Sequence, residues 1–170
     1  MTLKRASYKY RSTEGTSLTG GEGMGYVHAE IELTNYGDVV VHERTGTVLE
    51  SDIRRVTTVA LVDTGAWDLV INEEIRDRLD LPTIGKDIVK LADETLLELE
   101  IVGPIEVRFE DRTLLTSAVV LPSASEVLLG AYPLEGLDAF VDPKRQVLLL
   151  NPKSPDNPKS KIRQLVSLSI

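Results

Sequence analysis

Val56-Thr57-Thr58-Val59-Ala60-Leu61-Val62-Asp63-Thr64-Gly65-Ala66 is the stretch on which the fold and the chemistry of this chain turn. Val56 to Val62 is β-branched and increasingly apolar, the composition of a strand with little contact with water. It runs straight into a carboxylate and then a glycine. An apolar strand that ends this way leaves Asp63 partly desolvated, with the backbone of Gly65 open to close approach because no Cβ shields it. A plainer reading also fits: a strand end closed by an Asx-type turn, with Thr64 as strand filler. The tripeptide is too short to decide between them.

Outward from this stretch the chain reads as mostly strands. Upstream, Val27, Ala29, Ile31 and Leu33 alternate with His28, Glu30, Glu32 and Thr34, the period of a half-buried strand. Asn35-Tyr36-Gly37-Asp38 reads as a turn, Val39-Val40-Val41 as a short strand and Arg44-Thr45-Gly46 as another turn. Downstream, Leu69-Val70-Ile71 precedes Asn72, a good N-cap, and Glu73 and Glu74, which suit the first turn of a helix. Ile75 and Leu79 then share one face of a short helix that stops before Pro82. Further strands are expected at Ile88–Leu91, Leu96–Val102, Ile105–Phe109, Leu114–Leu121, Val127–Leu129 and Val147–Leu150, with a helical turn after Gly130. The expected architecture is mainly β, a small closed barrel with one or two short helices.

The ends differ in composition. Residues 1–25 are rich in Ser, Thr and Gly and read as a mobile arm, since too few large apolar groups offset the entropy of ordering them. Residues 26–152 form the expected domain. In residues 153–170, Pro155 and Pro158 give linker composition, and Val166, Leu168 and Ile170 alternate as a possible edge strand.

Composition excludes several chemistries. There is no cysteine, which removes disulfides, thiol catalysis and thiolate metal sites. His28 and His42 are the two histidines and lack the spacing of helical zinc motifs. His28 and Glu30 share a strand face, but an exposed strand histidine is the expectation there, and no cofactor or metal is implied. The formal net charge of −8 argues against nucleic acid, which needs a basic face. No apolar run approaches the ~20 residues that span a bilayer, and no apolar segment follows Lys4, Arg5, Lys9 and Arg11. The expectation is a cytoplasmic protein with no membrane partner.

Leu61-Val62-Asp63-Thr64-Gly65-Ala66, followed after several strands by Leu128-Leu129-Gly130-Ala131-Tyr132-Pro133-Leu134, resembles the two signatures of the retropepsin-like aspartic peptidases, in the form of their small bacterial members. Phe140 to Leu148 is similar to the last strand pair of those members, and the likeness runs from about Tyr26 to Pro152. The resemblance implies an endopeptidase that acts as a two-fold homodimer on a peptide or protein substrate. Two carboxylates sharing a proton and a water are needed, one as base and one as acid. A single such motif per chain means that the second Asp63 comes from an identical partner.

The resemblance also implies roles around Asp63. Thr64 would bond across the two-fold, while Gly65 and Gly130 would support the active-site loop. Ala66, Trp67 and Asp68 would meet substrate, under a flap spanning Ile88–Leu99 with Ala92-Asp93-Glu94-Thr95 at its tip. The chain departs from the pattern in two places. The tip is not Gly-rich, so Asp93 and Glu94 are either solvated turn residues or a preference for basic peptides. Trp67 stands where relatives carry a small or acidic residue, and could line a subsite, plug it, or pack in a core or dimer contact. Asp68 has two roles open to it, contact with substrate or capping before Leu69.

The alternative function is a catalytically inactive dimeric binding or scaffold module of the same fold. Retention of Asp63-Thr64-Gly65 favours the enzyme; the flap tip and Trp67 favour the alternative. Phosphoryl transfer through an aspartyl phosphate fits poorly, because the residues after Asp63 supply neither a second acid nor a basic continuation to hold magnesium and phosphate.

Overall fold

A computed structural model describes residues 25–90, 96–122 and 125–152. The expected arm of residues 1–25, but for Gly25, and the tail of residues 153–170 lie outside them, as does the expected flap tip Ala92–Thr95.

The chain is mainly β. The strands are β1 (His28–Asn35), β2 (Arg55–Val62), β3 (Leu69–Asn72), β4 (Thr83–Lys90), β5 (Leu96–Phe109), β6 (Arg112–Leu121), β7 (Val127–Leu129), β8 (Ala139–Asp142) and β9 (Val147–Leu150). Six of them close into a barrel in the order β1-β2-β7-β3-β6-β5 and back to β1, with β4 added to β5 and a separate β8–β9 hairpin. Closure satisfies strand edges that would otherwise stand open. On β1 the inward positions are those that the alternation marked, Ala29, Ile31 and Leu33; Val56 and Ala60 on β2 and Val102, Ile105 and Val107 on β5 are buried as well. β3 lies between β7 and β6, and Leu69, Val70 and Ile71 are buried alike, as expected of a strand covered on both faces.

Three short α-helices are present among the described residues, α1 (Tyr36–Thr45), α2 (Glu73–Leu79) and α3 (Ala131–Gly136). α2 begins as its sequence requires: Asn72 accepts from the Ile75 N–H at 3.0 Å, and Ile75 and Leu79 are buried. The additional helix is α1. Here the expected turn at 35–38 and the strand Val39–Val41 are both replaced by helix. Asn35 is the cap, its Oδ1 accepting from the Asp38 N–H at 3.3 Å while its Nδ2 donates to the Leu79 carbonyl at 2.9 Å. Asp38 is in turn gripped by Arg54, from Nη2 to Oδ1 at 2.6 Å and from Nε to Oδ2 at 2.7 Å. These contacts outweigh the β preference of three valines. Of the expected turn Arg44–Gly46, Arg44 and Thr45 instead end the helix, and Gly46 alone lies past it, capping α1 at φ 66°, a conformation that glycine adopts without strain.

The expected break at Gly103-Pro104 is not one. β5 runs through it as a single strand of 14 residues, with a register shift between Val102 and Ile105. The irregularity falls where one edge of β5 changes partner, from β4 (Thr83↔Val102) to β1 (Asn35↔Ile105). A bulge allows Pro104, which has no N–H to give, to sit within a sheet.

Candidate active site

Asp63 leaves the end of β2 beside the end of β7. The two strands pair in parallel, Ala60 with Val127, Leu61 with Leu128 and Val62 with Leu129, so Asp63 and Gly130 emerge side by side. The Asp63 N–H continues the ladder by donating to the Leu129 carbonyl at 3.1 Å. The chain then turns at once. The Ala66 N–H donates to the Asp63 carbonyl at 3.1 Å, and the Gly65 N–H donates to the carboxylate Oδ1 at 2.9 Å. This is an Asx-type turn, as the plainer reading had it. It also fixes the side chain of Asp63, which is half-buried, on a loop whose Thr64 and Gly65 are exposed. The Thr64 hydroxyl has no hydrogen bond within the described residues of the chain.

The loop is held from its other side by the start of α3. The Ala131 N–H donates to the Ala66 carbonyl and the Tyr132 N–H to the Trp67 carbonyl, each at 2.9 Å. Gly130 is what allows this approach. A Cβ there would lie 2.4 Å from the Asp68 carbonyl oxygen and 2.7 Å from the Trp67 carbonyl carbon, both of them backbone. Its φ of −80° is open to any residue, so the need for glycine is one of space.

No family model matches this chain, and no curated protein matches it.

Among the candidate residues, Asp63, Thr64, Gly65, Ala66, Trp67, Asp68 and Gly130 thus form one continuous structure. Ala66 is buried and anchors the turn. Trp67 is 52% exposed, so it is not a core residue. Its ring lies 6.3 Å from that of Tyr132, tilted by 38°, and Tyr132 is itself 42% exposed. Tyr132 was not among the sequence candidates. The only signal for it was an aromatic residue directly before Pro133 in the first turn of an expected helix, which does not say which way the ring faces. Asp68 is half-buried at the entry to β3.

The expected flap strands are paired, Ile88 with Glu98 and Lys90 with Leu96, and the first of them starts earlier than expected, at Thr83. Its tip, Ala92–Thr95, lies outside the described residues. Ile84, Ile88 and Leu96 are exposed on this ladder. His28 does not join Glu30 but meets Glu126, with Nε2 at 2.8 Å from Oε1. Among the described residues, no group of three or more His, Asp or Glu is arranged to hold a metal ion. No described helix is long and apolar enough to cross a membrane.

Proposed function

We propose that the chain is one subunit of a homodimeric aspartic endopeptidase of the retropepsin-like type, with one Asp63 carboxylate from each copy. The observation that carries the reading is the seat of Asp63. A carboxylate at the end of a barrel strand, on an exposed turn braced from both sides by backbone hydrogen bonds, is a rigid platform for a reacting group. One chain has one such platform, and acid–base attack by water needs two.

In the dimer, one Asp63 takes a proton from a water that attacks the peptide carbonyl carbon. The other gives its proton to the carbonyl oxygen. As the resulting diol collapses and its C–N bond breaks, one hydroxyl gives its proton to the ionised Asp63 while the leaving nitrogen takes the proton held by the other, so the pair again holds one. At a separation of ~3 Å and an effective dielectric of ~20, two ionised carboxylates repel by about 5 kcal/mol, which favours a pair holding one proton between them. Neither metal nor covalent intermediate enters this scheme.

The test is incubation of wild type and Asp63→Asn with an unstructured protein between about pH 4 and 7. Fragments are expected from the wild type alone, since the Asn amide oxygen can still accept from Gly65 while its acid–base capacity is gone. Fragments from both, or from neither, would remove the proposal. The exposed Trp67 beside the loop favours the second reading, a peptide-binding dimer without hydrolysis, and intact peptide retained by both proteins is its signature.

A further inference from the structure

The rings of Trp67 and Tyr132 form an exposed aromatic surface. Each is set by a backbone that is bonded to the other, through the Tyr132 N–H and the Trp67 carbonyl. Trp67 is also close to Asp63. The turn brings the Cα atoms of Asp63 and Ala66 within about 7 Å, so the Cα of Trp67 lies within about 11 Å of that of Asp63. An extended peptide covers that distance in about three residues.

The sequence stretches that carry these rings hold charge of one sign. Neither Val56–Ile75 nor Val127–Pro143 contains a Lys or Arg, whereas Asp63, Asp68, Glu73, Glu74, Glu135, Asp138 and Asp142 fall within them. Glu135 is exposed and lies three residues after Tyr132 on α3, on the same face. Arg112 reaches Asp138, just past the C-terminal end of α3; it is largely buried and is shared by Asp111 and Asp138. Aromatic faces next to carboxylates attract a cation twice, by the ring quadrupole and by charge. A second copy of the chain is a poorer occupant of the rings, because an isologous contact centred on them would set the exposed Glu135 of each copy against its equal, with no shared proton to relieve the repulsion as there is between the two Asp63.

We propose that Trp67 and Tyr132 recognise a Lys or Arg side chain of the substrate, within about three residues of the scissile bond. The proposal rests on the peptidase reading and specifies its substrate class. Its test separates the two, because it measures binding and not cleavage. Asp63→Asn protein is titrated by calorimetry with neutral unstructured peptides carrying a single Arg, or citrulline at the same position. Trp67 is the sole tryptophan, so its emission reports the same event directly.

The Arg peptide is expected to bind about tenfold more tightly than its citrulline counterpart and to change the Trp67 emission. Trp67→Leu is expected to erase that preference, and Trp67→Phe to restore part of it. Equal affinity for the two peptides would overturn the proposal, as would a preference that survives Trp67→Leu. So would a blue shift of Trp67 on concentrating the protein without peptide, which would place the rings in a contact between copies. Selective binding with no cleavage by wild type would remove the reaction and leave this surface; cleavage with no Arg preference would do the reverse.

Discussion

Of the two glycines beside Asp63, Gly130 carries the tighter packing constraint. Its missing side chain lets the Asp68 and Trp67 backbone come within a distance at which no methyl group fits, so Gly130→Ala must push α3 and the Asp63 loop apart. Overpacking of this kind costs about 1–3 kcal/mol, and urea denaturation is expected to show a loss in that range. Cleavage is expected to fall further than stability does, because the displacement acts on the turn that aims Asp63. Gly65 has a milder constraint: an added Cβ would lie 3.1 Å from the Asp63 carboxylate oxygen, which has some freedom to give. From sequence both glycines could be named as loop support. That Gly130 is needed for space and not for an unusual backbone angle required the tertiary contact.

At the scale of elements, α1 shows where local reading fails and why. Three consecutive valines favour a strand, although Asn35 before them and Gly46 after them are residues that cap helices. The helix exists because Asn35 is fixed by the end of α2 and because Asp38 meets Arg54, the residue before β2. The hydrogen bonds from Arg54 hold the Asp38 carboxyl below the ordinary carboxylate value of 3.8, against the opposing effect of burial. A carboxyl held low in the folded chain stabilises it above that value. As the pH falls from 3.8 towards the folded value, the unfolded chain takes up the proton first and the contribution is lost. Asp38→Asn is therefore expected to destabilise the protein by about 1–3 kcal/mol at neutral pH. It is also expected to flatten the decline in stability below 3.8, which thermal denaturation across pH 2.5 to 7 would detect. An unchanged acid slope in the variant would show that Asp38 is not the group responsible. α2, by contrast, was legible throughout, since its cap, its early acids and its buried pair all lie within eight residues of one another.

For the whole molecule, barrel closure brings the site together, and proposed pairing of copies completes it. A dimer needing one Asp63 from each copy makes a sharp prediction about mixtures. Wild type combined with an equal amount of Asp63→Asn, after exchange of subunits, is expected to keep about half of the activity of the same wild type alone, since mixed dimers have one carboxylate. Activity that is unchanged on mixing would mean that each copy works by itself. Dilution through the dimer dissociation range is likewise expected to reduce activity per chain, and sedimentation velocity would locate that range.

What the sequence determined by itself was whatever depends on near neighbours: the alternation that buries Ile31 and Leu33, the Asn72 cap and the apolar approach to Asp63. What only the tertiary structure decided was pairing at long range. Insertion of β7 between β2 and β3 sets Gly130 beside Asp63 across 67 positions of chain, and β5 changes partner at a Gly-Pro that reads locally as a break. The physical reason is that side-chain periodicity and capping are written within a few residues. The choice of strand partner depends instead on which edges remain open once all the others have closed.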